Sequence, residues 1–231
     1  MKVDIGIIGA MEPEVAALIA ALEEKNCETV SGVTFHTGKI AGKTVAIARC
    51  GIGKVFAAIC AEIMILKYSP DLLVNTGVGG GLAPDLGTGD IIIAHSLCQH
   101  DMDTSAIGDP KGLVSGINMI YFDSDRRAAE ILVGAAEGLG LKARLGRIAS
   151  GDKFIASKED KDRIKADFSA DACEMEGCAV AQVAFVNGTP FAVVRAISDS
   201  ADGEATMDYP TFLGIASANS TKLTLALVKA W

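Results

Sequence analysis

Short apolar runs rich in β-branched residues alternate along the chain with stretches whose apolar positions recur every three to four residues. Residues 3–10 predict a buried strand, followed by a helix over about 13–25, with Pro13 suited to the first helical turn. Residues 33–40 and 44–50 predict a hairpin that turns at Ala41-Gly42-Lys43. A helix is expected over 53–68, then a strand over 72–76 that runs into a glycine loop, Gly77-Val78-Gly79-Gly80-Gly81. Further strands are expected at 91–95, 143–150 and 191–197, and further helices at 126–139, 158–168, 176–186 and 209–231.

Strands this continuously apolar are buried on both faces, so the expected architecture is α/β, a central twisted mixed sheet between helical layers. No repeat or linker divides the 231 residues, and one domain is expected over the whole length. Residues 99–125 form a long polar, glycine-rich stretch without clear periodicity, and such a loop is usually functional or part of an interface.

Composition narrows the function. A net charge of -8 and a pI near 4.9 argue against nucleic-acid or anionic-membrane partners. No run reaches the length of a membrane span, and the first residues lack the basic start of a signal peptide. The six cysteines include no C-x-x-C pair, so reduced thiols in a cytoplasmic protein are expected, and no metal site. Gly77–Gly81 does not satisfy G-x-G-x-x-G, because Leu82 stands at the last glycine position. Gly42-Lys43-Thr44 resembles the end of a P-loop, but Thr37 replaces its first glycine. There is no G-x-S-x-G elbow.

Three acidic segments fall where strands give way to loops or helices, the crevice in which open α/β sheets bind ligands. The first is Met11-Glu12-Pro13-Glu14, whose carboxylates would at least complement a helix N-terminus. The second is Cys173-Glu174-Met175-Glu176-Gly177. The third, Arg195-Ala196-Ile197-Ser198-Asp199, places an arginine inside a strand fit for burial, and a buried arginine needs a carboxylate partner.

Taken together, these segments resemble the 5′-methylthioadenosine/S-adenosylhomocysteine nucleosidases of the purine nucleoside phosphorylase superfamily. The matching stretches are Ile5-Gly6-Ile7-Ile8-Gly9-Ala10-Met11-Glu12, Gly51-Ile52-Gly53-Lys54-Val55, Asn75-Thr76-Gly77 with Gly80-Gly81-Leu82-Ala83-Pro84, Ser150-Gly151-Asp152-Lys153-Phe154-Ile155, Glu174-Met175-Glu176 and Arg195-Ala196-Ile197-Ser198-Asp199, in the family's order from end to end.

The resemblance implies a homodimer that binds a small purine nucleoside and cleaves its N-glycosidic bond with water, without cofactor. It further implies Glu14 as the base that activates water, Asp199 (beside Ser198) as the acid at purine N7, and Glu176 as the ligand of the ribose hydroxyls. Phe154 would stack on adenine, the Ile155 backbone read its edge, Met175 pack under the ribose and Met11 lie near the 5′ substituent. Ile52, Val78, Arg195 and Tyr209 complete the substrate-binding set it implies. Val78 departs from the family's serine, which helps hold the water, and Ile107 from its aromatic residue. The superfamily's phosphorylases bring arginines to phosphate, whereas the corresponding positions here are the acidic first loop and Asn75. Hydrolysis of another purine nucleoside, of futalosine type or 5′-deoxyadenosine, is the second expectation, and phosphorolysis the third.

Overall fold

The computed structural model describes residues 2–199 and 209–231, apart from the side chains of residues 209–211. Among the described residues ten strands join one mixed sheet. In chain order these are β1 (Ile5–Gly9), β2 (Glu23–Val30), β3 (Val33–Ile40), β4 (Lys43–Arg49), β5 (Leu72–Gly81), β6 (Ile91–Gln99), β7 (Phe122–Asp123), β8 (Ala143–Ser150), β9 (Ala172–Glu174) and β10 (Phe191–Asp199). The helices are α1 (Glu12–Ala20), α2 (Lys54–Tyr68), α3 (Arg126–Gly138), α4 (Lys158–Phe168), α5 (Gly177–Val186) and α6 (Tyr209–Ala230). The expected three-layer α/β architecture is present. One apolar cluster seats α2 and α5 against the sheet, and a second seats α1, α3 and α6 on the opposite side. Among the described residues no helix is long and apolar enough to cross a membrane.

The sheet divides at β5. The first half of β5 lies between β1 and β10, with Ile5 opposite Leu72 and Phe191 opposite Leu73. Its last residues keep β10 but exchange β1 for β9, which pairs antiparallel through Gly80 and Cys173. Strands β5, β10, β6, β8 and β9 thereby close into a ring, and β1, β4, β3 and β2 extend from it as an open wing. Between the departure of β1 and the arrival of β9, one edge of β5 is open, and the Val78 N–H that faces it is taken by the Glu14 carboxylate.

The residues expected as a glycine loop are therefore the second half of a strand. Glycines are needed there because other groups come too close for side chains. A Cβ on Gly77 would overlap the Glu14 carboxylate, and one on Gly79 would lie 2.9 Å from the Cys173 carbonyl. A second correction concerns the helix expected over 13–25. It stops at Ala20, and Glu23–Val30 is a strand. That strand lies at the edge of the wing with nearly every residue exposed, so no alternation of apolar positions marks it in sequence. The expected hairpin turn is the two-residue Ala41-Gly42, with φ of 51° and 81°, as the twist of a tight hairpin requires. Strand β6 continues past the expected His95 to Gln99, while β7 and β9 are too short to carry a periodic signal.

Candidate active site

Strands β1, β5 and β10 run parallel, and at their carboxyl ends lies a pocket. Ten residues singled out from the sequence line it: Met11, Glu14, Ile52, Val78, Phe154, Ile155, Met175, Glu176, Ser198 and Asp199. Two others fall elsewhere. Arg195 is buried behind the pocket wall, and Tyr209 opens α6 with a side chain outside the described residues.

The N-termini of α1, α2 and α5 converge on this pocket, and carboxylates satisfy each of them. A helix start leaves unpaired N–H donors and a positive partial charge, both of which favour an anion. At α1, Glu14 Oε2 accepts from the Ala10 and Met11 N–H groups, each at 2.8 Å. Its Oε1 accepts from the Val78 N–H at 3.0 Å. At α2, Glu176 Oε1 accepts from the Gly53 N–H at 2.9 Å, and Asp152 Oδ1 from the Lys54 N–H at 2.8 Å. At α5, Glu174 Oε2 accepts from the Glu176 and Gly177 N–H groups at 3.0 and 2.7 Å, while Ser150 Oγ accepts from the Cys178 N–H. The start of α1 and the Val78 N–H together fix the Glu14 carboxylate at the pocket wall.

Arg195, on β10 and only 1 % exposed, holds the carboxylates from behind. Its Nη2 donates to Glu174 Oε2 and to Asn75 Oδ1, and its Nη1 to the carbonyls of Val194 and Asn75. Glu176 Oε2 lies 3.9 Å from the same Nη2. Glu174 is therefore the partner that the buried arginine requires, and Arg195 meets the pocket only through the glutamates.

Electrostatics separates the acidic groups. Burial pushes Glu14 above the ordinary carboxyl range, opposed by Arg195 and by the three N–H donors. Burial, with the adjacent Glu174 charge, raises Glu176 to about 7, against the pull of Arg195 and the Gly53 N–H. At the opposite wall, Asp199 is buried and its Oδ2 accepts from the Ser198 hydroxyl at 2.8 Å. Half-exposed Phe154 gives the pocket an aromatic surface, and Met11, Ile52, Val78, Ile155 and Met175 give it apolar ones. Among the described lining residues the one cation is Lys153, and its ammonium is engaged by Asp160 at 2.7 Å.

Sequence reasoning quoted Gly53, Lys54, Ser150 and Asp152 without giving them a role. In the structure Gly53 and Lys54 supply the N–H donors at the start of α2, and Asp152 and Ser150 are acceptors that cap α2 and α5. The available signal was a polar residue at each predicted element boundary, but its partner lies far along the chain, up to 123 residues away for Gly53 and Glu176.

The Phosphorylase superfamily model matches residues 4–229. A 5′-methylthioadenosine/S-adenosylhomocysteine nucleosidase from Shewanella halifaxensis is 40% identical over 227 residues, covering 97% of this chain and 98% of the relative. The crystal structure of the nucleosidase of that name from Neisseria meningitidis, in complex with methylthio-immucillin-A, superposes with a TM-score of 0.95 at 36% identity, over 98% of this chain and 99% of the other. Futalosine hydrolase of Helicobacter pylori superposes with a TM-score of 0.94 at 34% identity, over 98% and 97% of the two chains. By fold, by pocket and by end-to-end similarity, the chain belongs to the 5′-methylthioadenosine/S-adenosylhomocysteine nucleosidases of the phosphorylase superfamily.

Proposed function

We propose that this chain hydrolyses the N-glycosidic bond of 5′-methylthioadenosine or S-adenosylhomocysteine, releasing adenine and the thioribose. One observation carries this reading. The carboxylate at the open edge of β5 is fixed by three backbone donors, and the described lining residues offer no free cation to seat a phosphate. A carboxylate has about four acceptor sites, so three N–H bonds leave one, on Glu14 Oε1. A water fits that site, and an incoming phosphate dianion would meet negative charge.

In the balanced reaction water oxygen bonds to C1′ as the C1′–N9 bond breaks, the water proton goes to Glu14, and Asp199 gives a proton to N7 of the departing adenine. Adenine leaves poorly as an anion, which is why the acid is needed. Glu176, as the carboxylate, receives the ribose hydroxyls and stabilises the cation-like sugar. Phe154 covers the base, and Met11 and Met175 pack near the 5′ group and the ribose. Product analysis tests the reading: adenine and free sugar are expected from methylthioadenosine at a rate that phosphate leaves unchanged. Accumulation of a sugar 1-phosphate with a phosphate requirement would replace it with phosphorolysis. The slightly weaker superposition of a futalosine hydrolase keeps a futalosine-type nucleoside as the second candidate substrate, and the same assay ranks the two.

The unbroken sheet supports residues 1–231 as one domain, and the six free thiols suit a reducing cytoplasm. A homodimer is supported by an exposed apolar stripe on α2 (Val55, Phe56, Ile59 and Leu66), continued by Phe185 and Val186 on α5. The segment over 99–125, with Ile107 81 % exposed, is a further candidate contact.

A further inference from the structure

Beside the pocket, three residues from three distant segments close a ring of hydrogen bonds. The Lys54 ammonium donates to Asp101 Oδ1 at 2.6 Å, the Asp152 N–H donates to Asp101 Oδ2 at 2.8 Å, and the Lys54 N–H donates to Asp152 Oδ1 at 2.8 Å. Two members of the ring adjoin a pocket group, and the third ties them together. Lys54 follows Gly53, whose N–H orients Glu176. Asp152 stands two residues before Phe154, on the loop between β8 and α4. Asp101 opens the long segment after β6.

The ring has a fourth tie. Lys54 Nζ also donates to Gln99 Oε1 at 2.9 Å, and Gln99 Nε2 donates to Gln182 Oε1 on α5, the helix that begins after Glu176. Burial works against an ionised Asp101, but the Lys54 ammonium and the Asp152 N–H outweigh it and hold its carboxyl below the ordinary value. An ionised Asp101 can accept both bonds at once; a neutral amide in its place offers one acceptor oxygen.

We propose that Asp101, with Lys54 and Asp152, is a clamp that positions the ribose-binding carboxylate Glu176 and the Phe154 shelf for the nucleosidase reaction. Asp101 touches neither site residue. It acts through the Gly53 N–H and the loop of residues 151–155, and is a positioning residue. The inference rests on the nucleosidase reading. Glu176 and Phe154 are assigned to the bound ribose and base, so loosening this rim weakens both binding and placement, and a displacement near 1 Å costs on the order of a hundredfold. Glu176 faces Glu174 on β9, Arg195 on β10, the Gly53 N–H at α2 and Glu14 on α1. Weakening the Gly53 bond removes one of the groups that favour its charged form.

The variants are Asp101→Asn, Lys54→Gln and Lys54→Arg, assayed for steady-state cleavage of methylthioadenosine, for adenine affinity by calorimetry and for melting. For Asp101→Asn and Lys54→Gln, KM is expected to rise and both kcat/KM and adenine affinity to fall by about tenfold or more. The acid limb of kcat/KM moves to higher pH, the double variant is no worse than the poorer single one, and Lys54→Arg recovers most of the loss. Unchanged KM, adenine affinity and acid limb, whatever the melting temperature, would overturn the clamp. If Asp101→Asn does not fold, Lys54→Gln decides by the same readouts. A wild-type protein that neither cleaves methylthioadenosine nor binds adenine rejects the nucleosidase reading instead; a competent wild type matched by its variants rejects only the clamp.

Discussion

Glu14 and Glu174 are both buried glutamates at the start of a helix, each accepting two N–H groups through Oε2, yet their surroundings fit them for opposite tasks. Glu174 is saturated: Arg195 joins the same oxygen and the Ser150 hydroxyl takes the other. Its charge is spent on architecture. Among the described residues Glu14 meets no cation, only backbone donors, and by lone-pair count keeps one acceptor site on a side chain that lines the pocket. A carboxylate held by the backbone alone is rigid without being neutralised, which is what a base requires. The difference separates two failures, loss of chemistry at the first glutamate and loss of folding at the second.

The largest effect expected is on rate. Glu14→Gln keeps the shape but removes the base, and Asp199→Asn keeps a hydrogen bond to N7 but cannot yield a proton cheaply. Each is expected to lower kcat by about 10²–10⁴; melting should change little for Asp199→Asn, whereas Glu14→Gln leaves a buried backbone N–H without an acceptor and should also melt lower. Because Arg195 is paired with Glu174, Asp199→Asn leaves no buried cation stranded. Near wild-type kcat in a folded Asp199→Asn protein would refute the acid role.

Arg195→Met should do the reverse. It leaves Glu174 buried without its cation, and breaking a buried pair from one side costs about 3–5 kcal/mol of stability. Denaturant unfolding measures this, and adding Glu174→Gln to that variant is expected to restore part of the loss. An Arg195→Met protein of full stability would show that the guanidinium is not the support for the glutamates.

A smaller effect is on pH dependence. Glu176 rises from the ordinary 4.5 to about 7 on folding, so the native state binds its proton more tightly than the unfolded chain. Its contribution to stability is therefore fully present below pH 4.5 and is lost as pH rises through about 7. Activity runs the other way, because the ribose needs the carboxylate, and kcat/KM should fall below about pH 7. Glu176→Gln should flatten the stability slope over that interval, and an unchanged slope would assign the proton to another group.

The mildest expected outcome concerns the exposed face of α2. Val55→Ser with Leu66→Ser should shift the sedimentation profile toward monomer and leave Glu14 and Glu174 undisturbed. A wild-type monomer with full activity at nanomolar concentration would end the dimer reading.

Much of this was legible in one dimension. Buried parallel strands announce themselves as nearly unbroken apolar runs, so β1 and β10 lie close to where the pattern put them. The exposed edge strand β2 and the three-residue β9 do not, since neither carries an apolar period long enough to recognise. Among site residues, the three acidic segments could be read because a carboxylate beside an apolar strand end is unusual.

The sequence by itself determined the alternation of strands and helices, the acidic pocket, and that Arg195 must find a carboxylate. Only the tertiary structure decided which one. Glu174 and Glu176 both reach the same guanidinium, but the turn into α5 sends Glu174 inward to the Ser150 hydroxyl and Glu176 outward to the Gly53 N–H. The same holds for Gly77–Gly81, whose extended path follows from closure of the ring around β5 and from the Glu14 carboxylate that lies against Gly77. Apolar periodicity is a local property of the chain; the partner of a buried charge is set by where distant segments meet in space.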